Sequence, residues 1–171
     1  MNINGKIIST KAELLEAIKQ GINILDYIKD ERDIDFVTNA IIIEGIDEDT
    51  YYEETAEIVF KSILYYVLFT EGETKTLNRC KEIAKYDMDG TDGINKIRDM
   101  VAKEERANVL FKPVEIASEK TVKVVFEKLN ERLSKIWDKE ELQNSSLTTI
   151  SIFLNPILFL FLHVLIVLQG Q

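Results

Sequence analysis

Among the 171 residues there is one cysteine, Cys80, and one histidine, His163. A single cysteine excludes an intramolecular disulfide and any multi-cysteine metal site, and it fits a reducing, cytoplasmic setting. The histidine lies in a charge-free C-terminal run, so the charged part of the chain has none. That excludes a histidine-dependent triad, a histidine zinc site and a histidine general base there. No G-x-x-x-x-G-K-[ST] loop occurs, and the one Gly-Lys pair, Gly5-Lys6, is followed by Ile7. The glycine loop that cradles phosphate ahead of a helix N-terminus is therefore missing. Basic excess is missing too: 21 Lys and Arg stand against 30 Asp and Glu, a net charge of −9. Direct nucleic-acid binding is not expected, because phosphate neutralisation needs clustered cations. The N-terminus has no apolar run behind a basic start, so no signal peptide is expected.

Two prolines, Pro113 and Pro156, and seven glycines leave long uninterrupted stretches that read as helices. Thr10 with Glu13 makes a capping box ahead of Leu14, Leu15 and Ile18, before Gly21. Asp30 caps a helix through Ile43, with Ile34, Val37, Ile41 and Ile42 near one face. A second capping box, Thr50 with Glu53, opens the strongest pattern, a helix over about 51–70 that ends at Gly72. Its Ala56, Val59, Phe60, Ile63, Leu64, Val67 and Leu68 recur at i, i+3, i+4, i+7. Thr74 is expected to cap a helix carrying Leu77, Cys80, Ile83 and Ala84. The turn DMDGTDG leads to another with Ile94, Ile97, Met100 and Val101. A loop is expected around Asn108 to Pro113. Ser118 then caps a helix to about Gln143, with Val122, Val125, Phe126, Leu129, Leu133 and Ile136 inward. GINILDYI (21–28) is the best strand candidate. The fold class expected is mainly α.

Several stretches invite a functional reading, and each meets a simpler one. Counted from Asp87, DMDGTDG puts Thr91, Asp92 and Arg98 at positions 5, 6 and 12 of an EF-hand loop, which needs an acid, a glycine and a glutamate there. The register fails, and a helix-connecting turn is expected. IIIEGIDE (41–48) imitates a Walker B strand, but Glu44 and Gly45 interrupt it. The acidic clusters KDERDID (29–35) and DEDTYYEETAE (47–57) read as solvated faces and helix N-terminal charge. After Ser118, Lys120, Lys123, Lys128, Arg132, Lys135 and Lys139 are balanced by Glu119, Glu127, Glu131, Asp138, Glu140 and Glu141. That is a solvated helix with i to i+4 pairs such as Glu119–Lys123 and Glu131–Lys135. Tyr51, Tyr52, Tyr65 and Tyr66 read as core or rim. No coherent set of acid, base, nucleophile or metal ligands emerges; no catalytic residue, cofactor or metal site is assigned, and the chain is not expected to be an enzyme.

Three stretches carry a family resemblance: GINILDYIKDERDIDFVTNAII, YYEETAEIVFKSILYYVLFTEGETKTLNRCKEI and FKPVEIASEKTVKVVFEKLNERLSKI. In order and spacing they resemble the TraG-type conjugative coupling proteins, the DNA-transfer ATPases of type IV secretion in Gram-positive mobile elements. The family's N-P-L-D-Y-I signature stands as Asn23, Ile24, Leu25, Asp26, Tyr27 and Ile28, with Ile24 in place of proline. Its E-x-A-x-E-K-T pattern stands as Glu115, Ala117, Glu119, Lys120 and Thr121. The resemblance covers about 21–137 and implies the all-α insertion domain of a membrane-anchored hexameric motor that brings relaxase-bound DNA to the secretion channel. Residues 1–20 form an N-terminal helical segment unlike the family, 21–142 a coupling-protein-like helical domain, and 143–171 an apolar tail. The chain thus reads as a truncated or rearranged piece without its motor, with relaxase or other conjugation proteins as expected partners. The rival reading is a small membrane-anchored helical interaction module with no conjugative role.

The tail holds the charge-free run ISIFLNPILFLFLHVLIVL (150–168). Nineteen residues span about 28 Å as a helix, close to the roughly 30 Å of a bilayer core. Apolar character on every face favours a membrane helix over a buried core helix. A start at Pro156, with Asn155 as cap, shortens the span and keeps the core helix open; out-of-frame translation is a third account. Arg132, Lys135 and Lys139 precede the run and no basic residue follows it, which places the rest of the chain on the cytoplasmic side of the cell membrane. The missing phosphate loop yields a direct prediction. Purified protein will neither hydrolyse ATP nor bind it saturably, and calorimetry giving micromolar affinity for Mg-ATP overturns this.

Overall fold

The computed structural model describes residues 1–42, 50–87 and 92–136. The chain divides into two compact units, Met1–Ile136 and Trp137–Gln171. All described residues lie in the first, so the apolar tail and its membrane run at 150–168 fall outside them. Among the described residues, no helix is long and apolar enough to cross a membrane.

The first unit is mainly helical. Its helices are α1 (Lys11–Lys19), α2 (Glu31–Ile42), α3 (Thr50–Phe69), α4 (Leu77–Ala84), α5 (Gly93–Val101) and α6 (Glu105–Glu115). A further helix, α7, occupies 119–136. The capping box at α1 forms as its sequence dictates: Thr10 Oγ1 accepts from the Glu13 amide, and the Glu13 carboxylate accepts from the Thr10 amide. Asp30 Oδ1 accepts from the Arg32 and Asp33 amides at the head of α2. Ser118 Oγ accepts from the Thr121 amide at the head of α7.

α3 is the centre. Every residue from Ser62 to Leu68 is buried, and α2, α4, α5 and α6 all touch the helix. A helix apolar on nearly all sides must lie inside. Ala56, Val59, Phe60, Ile63, Leu64 and Val67 are wholly buried, as the i, i+3, i+4 spacing requires. α7 brings Val125, Phe126, Leu129 and Leu133 into the core. Its Asn130 Nδ2 donates to the Ala84 carbonyl at the end of α4. Residues 1–20 belong to the same unit, with α1 against α2.

Three expectations are corrected. GINILDYI is not a strand: Ile24–Tyr27 form one 3-10 turn, with adjacent Ile24 and Leu25 both buried, which two-fold alternation forbids. The strands lie earlier, as a hairpin of β1 (Asn2–Ile3) and β2 (Lys6–Ile7). Its two-residue Asn4-Gly5 turn has positive φ at both positions, the geometry that Asn-Gly supplies most readily. The expected loop at 108–113 is helical. Glu104 caps α6 through the Ala107 amide, and Ala107, Phe111 and Val114 bury one face, so Pro113 sits in the last turn. The cap of α4 is Thr76, which accepts from the Arg79 amide, rather than Thr74.

Leu64 lies at the middle of the buried helix. Leu64→Asp places an unpaired charge there, and we expect a loss of several kcal/mol, enough to unfold a marginal domain. A melting temperature equal to that of the parent contradicts the central position of α3.

Candidate functional site

A polar cluster lies where α3 hands over to α4. Gly72, at φ 82, turns the chain after α3, in the left-handed region that glycine enters without strain. Glu73 is thereby carried back against the helix. Its Oε1 accepts the Tyr66 hydroxyl at 2.5 Å, and its Oε2 accepts Arg79 Nε at 2.8 Å. Arg79 also donates to Glu73 Oε1 at 3.3 Å and to Glu82 at 3.2 Å. Thr76, by capping α4, fixes the turn from which Arg79 projects.

The electrostatics of the cluster shift its carboxyl in one direction and its phenol and guanidinium in the other. The Arg79 guanidinium, with the Tyr66 hydroxyl, holds the Glu73 carboxyl below the usual range. Burial, and then Glu73, push the Tyr66 phenol up to about 12. Glu73 in turn raises Arg79, so its charge is permanent. Acid–base work at neutral pH needs a group poised near that pH, and each of these three is moved away from it. The arrangement is chemically a clamp, holding the α3–α4 loop to the core.

A second polar set joins α2 to α3, with Lys61 Nζ 2.5 Å from Asp35 and 3.7 Å from Glu31. Beside it, burial raises the Glu57 carboxyl. A third lies deeper: Arg132 of α7 forms a salt bridge with Glu53 of α3, both side chains 7% exposed. This corrects the expectation that Arg132 lies on a solvated face; the expected capping box of Glu53 with Thr50 rests on a side chain outside the described residues. The acidic stretch 47–57 thus turns one carboxylate inward.

The remaining sequence candidates are dispersed. Of DMDGTDG, residues 88–91 lie outside the described residues; Asp92 precedes α5 and Gly93 begins it. Of IIIEGIDE, residues 43–48 lie outside as well, and Ile41 and Ile42 end α2 in the core. Tyr65 and Tyr66 are core residues, whereas Tyr51 is exposed and meets Tyr52 edge-on at 5.4 Å. Lys135 pairs with Glu131 at 3.0 Å and Lys123 with Glu127 at 3.9 Å. Among the described residues, no group of three His, Cys, Asp or Glu is placed to hold a metal ion. Cys80 is wholly buried, and burial pushes its thiol up, away from reactivity. Sequence reasoning missed the Tyr66–Glu73–Arg79 clamp, because a glycine turn and not a helical repeat brings those residues together. Compared with family models, curated proteins and solved structures, the chain matches none.

The clamp predicts an acid limb to stability. Folding lowers the Glu73 pKa from 4.5, so its contribution is full above that unfolded value and is lost as pH falls through the folded one. Glu73→Gln will cost about 1 kcal/mol at pH 7, the clamp being partly open to solvent. Urea unfolding will show the gap to the parent closing below the unfolded pKa. A gap that persists unchanged into acid shows that the charge does not contribute.

Proposed function

We propose that this chain is a non-catalytic helical relative of the TraG-type coupling proteins of type IV secretion, and that it holds a transfer partner such as a relaxase at the membrane. One observation supports the reading most. The stretches that carry the resemblance, wherever they are described, share one helical unit, Met1–Ile136. Within it the two signatures sit at junctions. Asn23 Nδ2 donates to the Lys75 carbonyl on the approach to α4, and Ile24 and Leu25 enter the core. Glu115 ends α6, and Glu119, Lys120 and Thr121 open α7. On this reading the two signatures join helices, a role that needs no motor. The domain therefore acts through its surface, with the tail at 150–168 as its anchor.

Two measurements test the two halves. After carbonate washing, the full-length chain will sediment with membranes; a monodisperse soluble species removes the anchor. The full-length chain, immobilised in mild detergent, will retain a relaxase from a conjugative element that encodes it. Retention no greater than on bare support, with sedimentation intact, favours the membrane-anchored module without a conjugative role.

A further inference from the structure

α6 is apolar on two opposite sides. Ala107, Phe111 and Val114 form the buried stripe. At about 100° per residue, Val109, Pro113 and Ile116 repeat the same i, i+4, i+7 spacing on the far side of the helix. Ile116, the C-cap, keeps helical dihedrals, so the outer stripe runs to the helix end. Val109 is 64% exposed and Ile116 88%, two of the five large apolar side chains that are exposed among the described residues. A helix at the edge of a domain normally keeps its outer face polar; two opposed stripes belong to a helix with a layer on each side.

The rim of this outer stripe decides what fits it. Glu105 and Lys112 are two turns apart and share one flank. On the other flank Arg106 is already engaged, its guanidinium over the Tyr65 ring at 5.7 Å. The charged flank has one acid and one base, separated along the helix. It complements neither a wholly acidic partner nor an anionic lipid surface. It does complement itself in reverse. In an antiparallel two-fold pairing the same flank of each helix meets, so Glu105 of one copy comes opposite Lys112 of the other, twice. Lys112 bonds Glu115 of its own chain at 2.9 Å, a contact it can exchange for an equivalent one across the pair.

We propose that the outer face of α6 is a self-association surface, on which two copies pack antiparallel with Val109 nearest the two-fold axis. The inference is independent of any conjugative role. One helix face is smaller than the roughly 800 Å² per partner of a standard interface, so the pairing is weak and is detected best by trapping.

Because Cys80 is wholly buried, Val109→Cys gives the full-length chain one reactive thiol. Under mild oxidation in detergent, Val109→Cys will form a disulfide dimer about tenfold faster than Ile7→Cys, an equally exposed site on the hairpin, because pairing raises the effective thiol concentration. Adding Glu105→Lys to Val109→Cys will slow trapping several-fold by setting like charges opposite, and adding Lys112→Glu as well will restore it. Ile116→Cys serves as a second reporter away from the axis and will trap more slowly than Val109→Cys. Equal trapping at Val109 and Ile7, or charge reversal without effect or without rescue, overturns the proposal.

Discussion

A polar group on the buried part of a helix cannot be left to water, and α3 is buried on every side from Ser62 to Leu68 and again at Glu53 and Thr55. Apart from the Tyr65 hydroxyl, which is buried without a hydrogen-bond partner, its buried polar side chains are met by what packs around them, which makes them the ties of the fold. Ser62 Oγ donates to the Ala107 carbonyl, joining α3 to α6 at 2.7 Å. Tyr66 reaches forward to Glu73, joining α3 to the loop that follows it. Glu53 reaches Arg132, joining its first turns to α7. Thr55 is satisfied locally, by the Tyr51 carbonyl. Each neutral bond contributes only about 1 kcal/mol net, yet leaving its buried partner unmet costs more. The apolar face of α3 drives collapse, and these few bonds select which arrangement of the other helices is admissible.

The Glu53–Arg132 pair illustrates the difference between stability and selection. Removing two charges from water costs several kcal/mol each, and their attraction offsets this only where geometry is good. A well-packed apolar pair at the two positions could be as stable. What the ions add is register. On α7, Leu129, Asn130, Arg132 and Leu133 are all buried while Glu131 is exposed. A wide apolar arc alone tolerates rotation of the helix. With Asn130 bonded to Ala84 on α4 and Arg132 to Glu53 on α3, rotation breaks two buried polar contacts at once. The register role is our hypothesis for this pair, and it follows from the two contacts pointing to different helices.

What could be read from the residues were the features that repeat within one element. The spacing of Val59, Phe60, Ile63 and Val67 and the capping pattern at Thr10 are local signals, and both describe the structure well. α6 was obscured because Asn108 and Pro113 interrupt the pattern while its buried face, Ala107, Phe111 and Val114, has one bulky member. The hairpin was legible in Asn4-Gly5 but sits on strands of two residues, too short to show alternation. Inward-facing Glu53 and Arg132 had no sequence signal, since a charged side chain within a charged helix looks solvated until its partner, far along the chain, is known. The clamp was hidden for the same reason: a loop, not a helical period, sets the relation of Tyr66, Glu73 and Arg79.

These ties bear on how such a domain can work. The groups of the clamp are displaced from neutral pH in both directions, Glu73 downward and Tyr66 upward, so neither changes its charge near neutral pH. The loop it holds and the helices it joins are thereby ordered in advance of any partner. Binding to a preformed surface avoids most of the ordering cost that a flexible segment incurs. Affinity then rests on what the ordered scaffold exposes, and on α6 that is an apolar stripe with a charged flank. Substitutions in the core change how much folded protein there is, whereas in the proposed pairing substitutions at Val109, Ile116 or Glu105 change association and leave the fold in place. The separation holds because the outer stripe of α6 shares no residue with the inner one, although both are carried by the same few turns.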